Sequence, residues 1–335
     1  MSAFWAGRRV LVTGGNGFIG SHLLDALAAA GANLTATASS PATKDRFLSP
    51  GSSAARWILG DLRDSATARE VVRGQHLVMH LAAKVGGIAY NVAHPASIFR
   101  DNLQSFISVL EAARHERVGR FLVTSSACVY PRDCTIPTPE SEGFVGLPEP
   151  TNEGYGWAKR MEEFLGEASA KEHGMDVRIA RPYNAYGPRD NFDPATSHVV
   201  AGLIHKVLTA DGIVDVWGDG RTTRSFLYAT DFARGLMAVA ERSPQVGAIN
   251  IGAREEISIR DLAEMIVRLS GRRIELRFDA SKPSGQPRRS CDTRLAESLI
   301  GFRAEVPLEE GLRHTMEWYR LALGPVATEG KGAGK

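Results

Sequence analysis

The run Arg9-Val10-Leu11-Val12-Thr13-Gly14-Gly15-Asn16-Gly17-Phe18-Ile19-Gly20 joins an apolar stretch to the start of a helical pattern through three spaced glycines. Aliphatic and β-branched residues predict a strand over Arg9–Thr13, and helical spacing follows over Phe18–Ala30. Gly14, Gly17 and Gly20 have the spacing of a dinucleotide loop with one extra residue between the first two. Such a loop needs a tight turn, backbone able to touch a pyrophosphate, and a helix N-terminus aimed at the anion. This one stands between the first strand and the first helix, where that mechanism requires it, so a bound dinucleotide is expected.

Outward from the loop, strand and helix patterns alternate. Strands are predicted at Asn33–Ala38, Arg56–Gly60, His76–Leu81, Phe121–Ser125 and Val177–Arg181, with helices at Ala66–Arg73, Ala96–Glu116 and Glu153–His173. The strands are apolar almost throughout, as expected when helices cover both faces of a parallel sheet. The fold class is therefore α/β: a Rossmann-type, doubly wound parallel sheet followed by a smaller α/β substrate domain. Residues 1–182 are read as the dinucleotide-binding domain, with 226–252 a candidate to return to it, 183–322 as the substrate domain, and 323–335 as a disordered tail. Tyr183–Pro194, rich in Gly, Pro, Asn and Asp, reads as a long loop. Beyond it, helices are predicted at Thr196–Thr209, Asp231–Glu241, Ile259–Leu269 and Leu308–Leu321, and strands at Val214–Trp217 and Arg224–Tyr228.

The second strand indicates which dinucleotide is bound. NAD-binding chains usually place a carboxylate near its end to take the ribose 2′-hydroxyl. Here Leu34-Thr35-Ala36-Thr37-Ala38 runs into Ser39 and Ser40, and Lys44 and Arg46 follow. The missing acid and nearby cations favour NADP, with NAD as the alternative. Asp61 is a candidate for the adenine end of the pocket.

Tyr155 and Lys159 stand four apart in a predicted helix and so share a face. Ser125 and Ser126 end the fifth predicted strand, where an open α/β sheet places its ligand crevice. A phenol is a weak base at its ordinary pKa of about 10, and a neighbouring ammonium favours the phenolate. Tyr155 is then suited to exchange the proton of a carbinol, with Ser126 bonded to the same oxygen and Lys159 also holding the ribose.

Composition excludes several classes. Forty Lys and Arg against 38 Asp and Glu leave a net charge of +2 over 335 residues, which argues against a nucleic-acid partner. No apolar run approaches the ~20 residues of a membrane span, so no membrane is expected. Cys128, Cys134 and Cys291 suit neither a disulfide framework nor a metal site. With no long apolar segment before Arg8, a cytoplasmic location is the expectation.

The Gly14–Gly20 loop, Ser125-Ser126-Ala127-Cys128 and Tyr155-Gly156-Trp157-Ala158-Lys159 together resemble the extended short-chain dehydrogenase/reductases. His80-Leu81-Ala82-Ala83-Lys84-Val85-Gly86-Gly87-Ile88, Pro150-Thr151-Asn152-Glu153, Asp190-Asn191-Phe192 with Ser197-His198-Val199, and Asp279-Ala280-Ser281-Lys282-Pro283 resemble its GDP-L-fucose synthase branch. The resemblance runs from about residue 8 to 320 and implies a GDP-sugar epimerase/reductase acting on a GDP-4-keto-6-deoxyhexose, and a homodimer through the long helices. It implies that Cys128 and His198 are the acid and base that epimerise C3 and C5. By residue type alone, Cys128 reads equally as a small buried hydrophobe and His198 as a residue packing at a helix start. It further implies cofactor contacts at Phe18, Ile19, Ser39, Asp61, Leu62, Leu81, Ala82, Ala83 and Pro182. Substrate contacts are implied at Gly86, Gly87, Asn184, Val199, Lys206, Trp217, Arg224 and Lys282. Arg288 and Arg289 lie close enough in sequence to Lys282 to join a basic set for one diphosphate.

Two departures stand out. Lys206 replaces the branch's usual arginine, keeping charge without the bidentate fork. Asn16-Gly17-Phe18 stands where the synthases usually carry an NADP-reading arginine, a form common in redox-neutral epimerases. The alternative reading is thus an NAD-dependent GDP-sugar epimerase with transient C4 oxidation. A non-catalytic dinucleotide sensor would be expected to lack Ser126, Tyr155 or Lys159, and all three are present.

Overall fold

Strands in chain order are β1 (Arg9–Thr13), β2 (Asn33–Ala38), β3 (Arg56–Leu59), β4 (Leu77–His80), β5 (Arg120–Thr124), β6 (Val177–Pro182), β7 (Ala185–Tyr186), β8 (Ile213–Trp217), β9 (Thr223–Ser225), β10 (Leu227–Tyr228), β11 (Ala248–Ile251), β12 (Glu256–Ser258), β13 (Glu275–Asp279) and β14 (Arg288–Arg289). The helices are α1 (Phe18–Ala29), α2 (Pro50–Ala54), α3 (Ser65–Val72), α4 (Ile88–Ala93), α5 (Pro95–His115), α6 (Glu153–His173), α7 (Val199–Thr209), α8 (Ala229–Arg242), α9 (Ile259–Ser270), α10 (Arg294–Ile300) and α11 (Leu308–Ala322). This computed structural model describes residues 3–41, 47, 49–86, 88–194, 196–244, 247–282 and 286–324. Lys44, Arg46, Gly87, Pro283 and 325–335 lie outside the described residues.

Seven parallel strands form the central sheet in the order β11-β6-β5-β4-β1-β2-β3. Strand order reverses between β1 and β4, and ligands of open α/β sheets bind at that crevice, beyond the C-terminal strand ends. Alternation along the strands explains the burial of both faces. Val10 and Val12 pack with Leu23, Leu24 and Leu27 of α1 and Phe232 and Leu236 of α8. Leu11 between them joins Val72 of α3 and Phe106, Val109 and Leu110 of α5 on the other face. A separate core in the second half joins α7, α9 and α11 to β8 through Ile204, Leu262, Met316 and Val216.

Local chemistry sets the ends of the helices. Pro95 occupies the first turn of α5, where its missing N–H costs nothing. Ser258 caps α9 by accepting from Asp261 N, and the helix stops at left-handed Gly271, φ +70°.

Two segments correct the sequence reading. Tyr183–Pro194 is not loop throughout, since β7 lies in it and pairs in parallel with β10. The single strand expected over Arg224–Tyr228 is two, because β9 pairs with β12 and β14 while β10 turns to β7. The segment 226–252 contains β11, which closes the main sheet beside β6.

Candidate active site

The glycine loop is a cradle that side chains would fill. Gly14 has φ +67°, and a Cβ there would lie 3.0 Å from Ala82 Cα, while a Cβ on Gly20 would collide with the Gly14 carbonyl. Gly14 N–H donates to Thr37 Oγ1 at 3.0 Å. Gly17 begins α1 with no capping side chain, leaving the helix start to backbone alone. Thr13 Oγ1 accepts from Leu81 N and Ala82 N, both at 3.0 Å, and lies 3.1 Å from His80 Nδ1. Burial, helped by the Lys159 charge, pushes His80 down to about 3, so it is a neutral anchor between the two loops. This bare, pinned backbone at the strand-order reversal fits a dinucleotide pyrophosphate.

At the far end, Ser39 follows buried Ala38. Asp61 pairs with Arg63 at 2.6 Å, whose hydrogen bond holds the carboxyl below its usual range, while Leu62 is buried. Pro182 ends β6. Gly86 packs against the Tyr90 ring, and Ala83 is exposed.

Ser126, Cys128, Tyr155 and Lys159 come together beyond the end of β5. Ser126 starts a short 3-10 turn over Ala127–Val129, its Oγ accepting from Cys128 N at 3.2 Å. Gly156 lets α6 approach this turn, since a Cβ there would lie 2.5 Å from Cys128 O. Lys159 Nζ lies 5.5 Å from the Tyr155 ring centroid. The ammonium donates to Thr124 O at 3.0 Å and to Glu162 Oε2 at 2.8 Å. The expected lowering of the phenol is outweighed: burial pushes Tyr155 up to about 12 against the pull of Lys159, which is partly neutralised by Glu162. Cys128 is half-buried, and Arg289 Nη2 donates to its Sγ at 3.6 Å.

His198 stands at the N-cap position of α7 without a side-chain capping bond, its side chain 58% exposed and Nδ1 3.6 Å from Asp190 Oδ1. The hydrogen bond to Asp190 raises the imidazole above its ordinary value despite desolvation. Val199 beside it is exposed.

The basic residues of the second half separate into groups. Arg224 and Arg289 stand opposite each other in the β9–β14 pair. Burial, then Arg289, pushes Arg224 down to about 10. Arg288 is engaged elsewhere, with bonds of 2.7 and 2.8 Å to Glu256. Trp217 is 61% exposed and pairs in register with Asp279 at the end of β13. Lys282 is exposed in the turn that follows, its N–H donating to Asp279 O at 3.2 Å. Lys206 Nζ donates to Asp215 O at 2.9 Å in β8, and Asn184 Nδ2 to Ser225 O at 2.9 Å.

Sequence reasoning missed the acids beneath the site. Glu163 receives a bidentate fork from Arg181, at 2.8 and 2.6 Å, and a hydrogen bond from Ser125 Oγ. Glu162 and Glu163 are both buried. Their signal was helical spacing, for positions three and four beyond Lys159 share its inward face.

This geometry gathers Ser126, Tyr155 and Lys159 at the C-terminal edge of a Rossmann-type sheet. The model of the NAD dependent epimerase/dehydratase family matches residues 10–252, and the chain belongs to that family. It is 32% identical over 321 residues to a dTDP-4-dehydro-6-deoxy-D-allose reductase of Streptomyces sp, covering 95% of this chain and 98% of that one. It is 36% identical over 275 residues to GDP-L-fucose synthase of Escherichia coli K12, covering 77% and 85%. A crystal structure of UDP-glucose 4-epimerase from Thermotoga maritima, with UDP-glucose, superposes with TM-score 0.85 at 27% identity, covering 94% and 99%. The chain is thus an NAD(P)-dependent sugar-nucleotide epimerase/reductase. Among the described residues no helix is long and apolar enough to cross a membrane.

Proposed function

We propose that this enzyme binds NADP, epimerises C3 and C5 of GDP-4-keto-6-deoxy-mannose and reduces C4. The observation that carries the reading is Cys128: its thiol belongs to the same turn as Ser126, and its carbonyl packs on the residue after Tyr155. A simple C4 reductase needs no thiol there. The C4 ketone acidifies the protons on C3 and C5. Cys128 and His198 serve as the proton-removing and proton-returning pair, one on each side of the ring. Tyr155 and Ser126 hydroxyls hold O4 while charge gathers there, and Tyr155 then gives O4 its proton. NADPH, when bound, supplies the hydride for C4. Gly14, Gly17 and Gly20 with Phe18 and Ile19 hold its pyrophosphate, and Lys159 its ribose. Arg224 binds the substrate diphosphate, with Lys206 and Lys282 as further cations and Trp217 packing on the base.

Residues 1–182 with β11 would carry the cofactor, and 183–322 most of the sugar nucleotide. The exposed apolar side chains Ile107 of α5 and Phe164 of α6 support a homodimer through these helices. Three free cysteines accord with a cytoplasmic setting. The test is NADPH consumption with the 4-keto sugar, one equivalent per product. No consumption, with bound NAD retained through turnover, would instead establish the redox-neutral epimerase, which Asn16-Gly17-Phe18 favours. GDP-, dTDP- and UDP-sugars run in parallel identify the base.

A further inference from the structure

We propose that Arg289 is a positioning residue that favours the thiolate of Cys128. The inference rests on Cys128 being an acid/base group of the proposed reaction. Arg289 Nη2 donates to Cys128 Sγ at 3.6 Å, a contact between residues 161 positions apart. The backbone that delivers it is fixed on both sides. Arg288 and Arg289 pair with Thr223 and Arg224 of β9, and Arg288 is clamped by Glu256. On the other side, Ser290 O accepts from Thr138 N at 3.0 Å and Cys291 bridges to Thr138. Arg289 is therefore held in place rather than being a free surface cation.

Its surroundings set charges of both signs beside it, with no carboxylate in direct contact among the described residues. Arg224 stands beside it in the β9–β14 pair, with like charge. Glu149 and Tyr183 face Arg289, but Glu149 accepts from Thr151 through Oε2, and its Oε1 is buried without a partner among the described residues. No ion pair to Arg289 is found among the described residues. Among the described residues Tyr155 of α6 also faces the sulfur, and Ser126 Oγ accepts from the Cys128 backbone N–H. Ionisation of the thiol breaks S–H, leaves the electron pair on sulfur and releases the proton to water. A fixed guanidinium at the sulfur favours that state, as cationic neighbours do for reactive thiols.

Iodoacetamide modification of the free enzyme, followed across pH by mass spectrometry of the Cys128 peptide, separates it from Cys134 and Cys291. Each profile yields a pH of half-maximal rate. Arg289→Met should move that midpoint up by about one pH unit or more, and Arg289→Lys should stay nearer to wild type. Coincident profiles for wild type and Arg289→Met overturn the proposal. Should the Met variant not fold, Arg289→Gln supplies the comparison, and a Gln profile coincident with wild type overturns the proposal equally. The readout needs no turnover. Coincident profiles with C3 and C5 exchange intact remove only the role of Arg289, whereas absent exchange with a shifted midpoint removes only the epimerase reading.

Discussion

Lys159 and Glu162 form an ion pair of 2.8 Å beneath Tyr155, with side chains 2% and 1% exposed. Burial pushes the Glu162 carboxyl up to about 7 against the pull of Lys159. Its negative charge also raises the phenol, opposing the ammonium. Glu162→Gln should therefore let Tyr155 ionise at lower pH, by about one unit. Phenolate absorbance on titration, with Tyr155→Phe as the blank, reads the shift. An unchanged midpoint would show that Glu162 does not act on the phenol.

The glycine loop predicts a binding defect with little change in fold. Gly14→Ala combines strained φ with a contact 3.0 Å from Ala82 Cα. Dinucleotide affinity should fall by about tenfold or more, a loss of ~1.4 kcal/mol, in a fluorescence titration. Circular dichroism should match wild type.

Asp190 makes His198 pH-sensitive in a definite direction. The raised imidazole keeps its proton to higher pH than a free histidine. Its contact with Asp190 thus stabilises the fold below about 6.5 and fades as pH rises through the folded value. Asp190→Asn should bring the His198 midpoint down, measured by NMR of the imidazole protons. The pH limb of C3 and C5 exchange should move with it.

Glu163 predicts a stability effect without direct chemistry. Removing it leaves Arg181, 6% exposed, without its carboxylate. Glu163→Ala should cost about 3–5 kcal/mol in chemical denaturation. A loss below about 1 kcal/mol would mean that Arg181 finds another partner.

Local patterns were legible because their physics is local. The Gly14–Gly20 turn, the six apolar strand runs and the four-residue spacing of Tyr155 and Lys159 each fall within one element or junction. Contacts made by distant pairing were not. Strands β12 and β14 are three and two residues long, too short for periodicity, and they exist through β9. Arg289 reads as one cation of a basic set until that pairing brings it to Cys128. Glu162 and Glu163 gain their roles only when α6 packs against the sheet with Lys159 and Arg181 inward.

The proposed reaction is proton exchange at C3 and C5 followed by reduction at C4. Its most direct test is NMR of the product formed in deuterium oxide from GDP-4-keto-6-deoxy-mannose and NADPH. Deuterium should enter at both C3 and C5 with wild type, and Cys128→Ser should abolish it. A reduced product carrying only protium at both carbons would rule that reaction out.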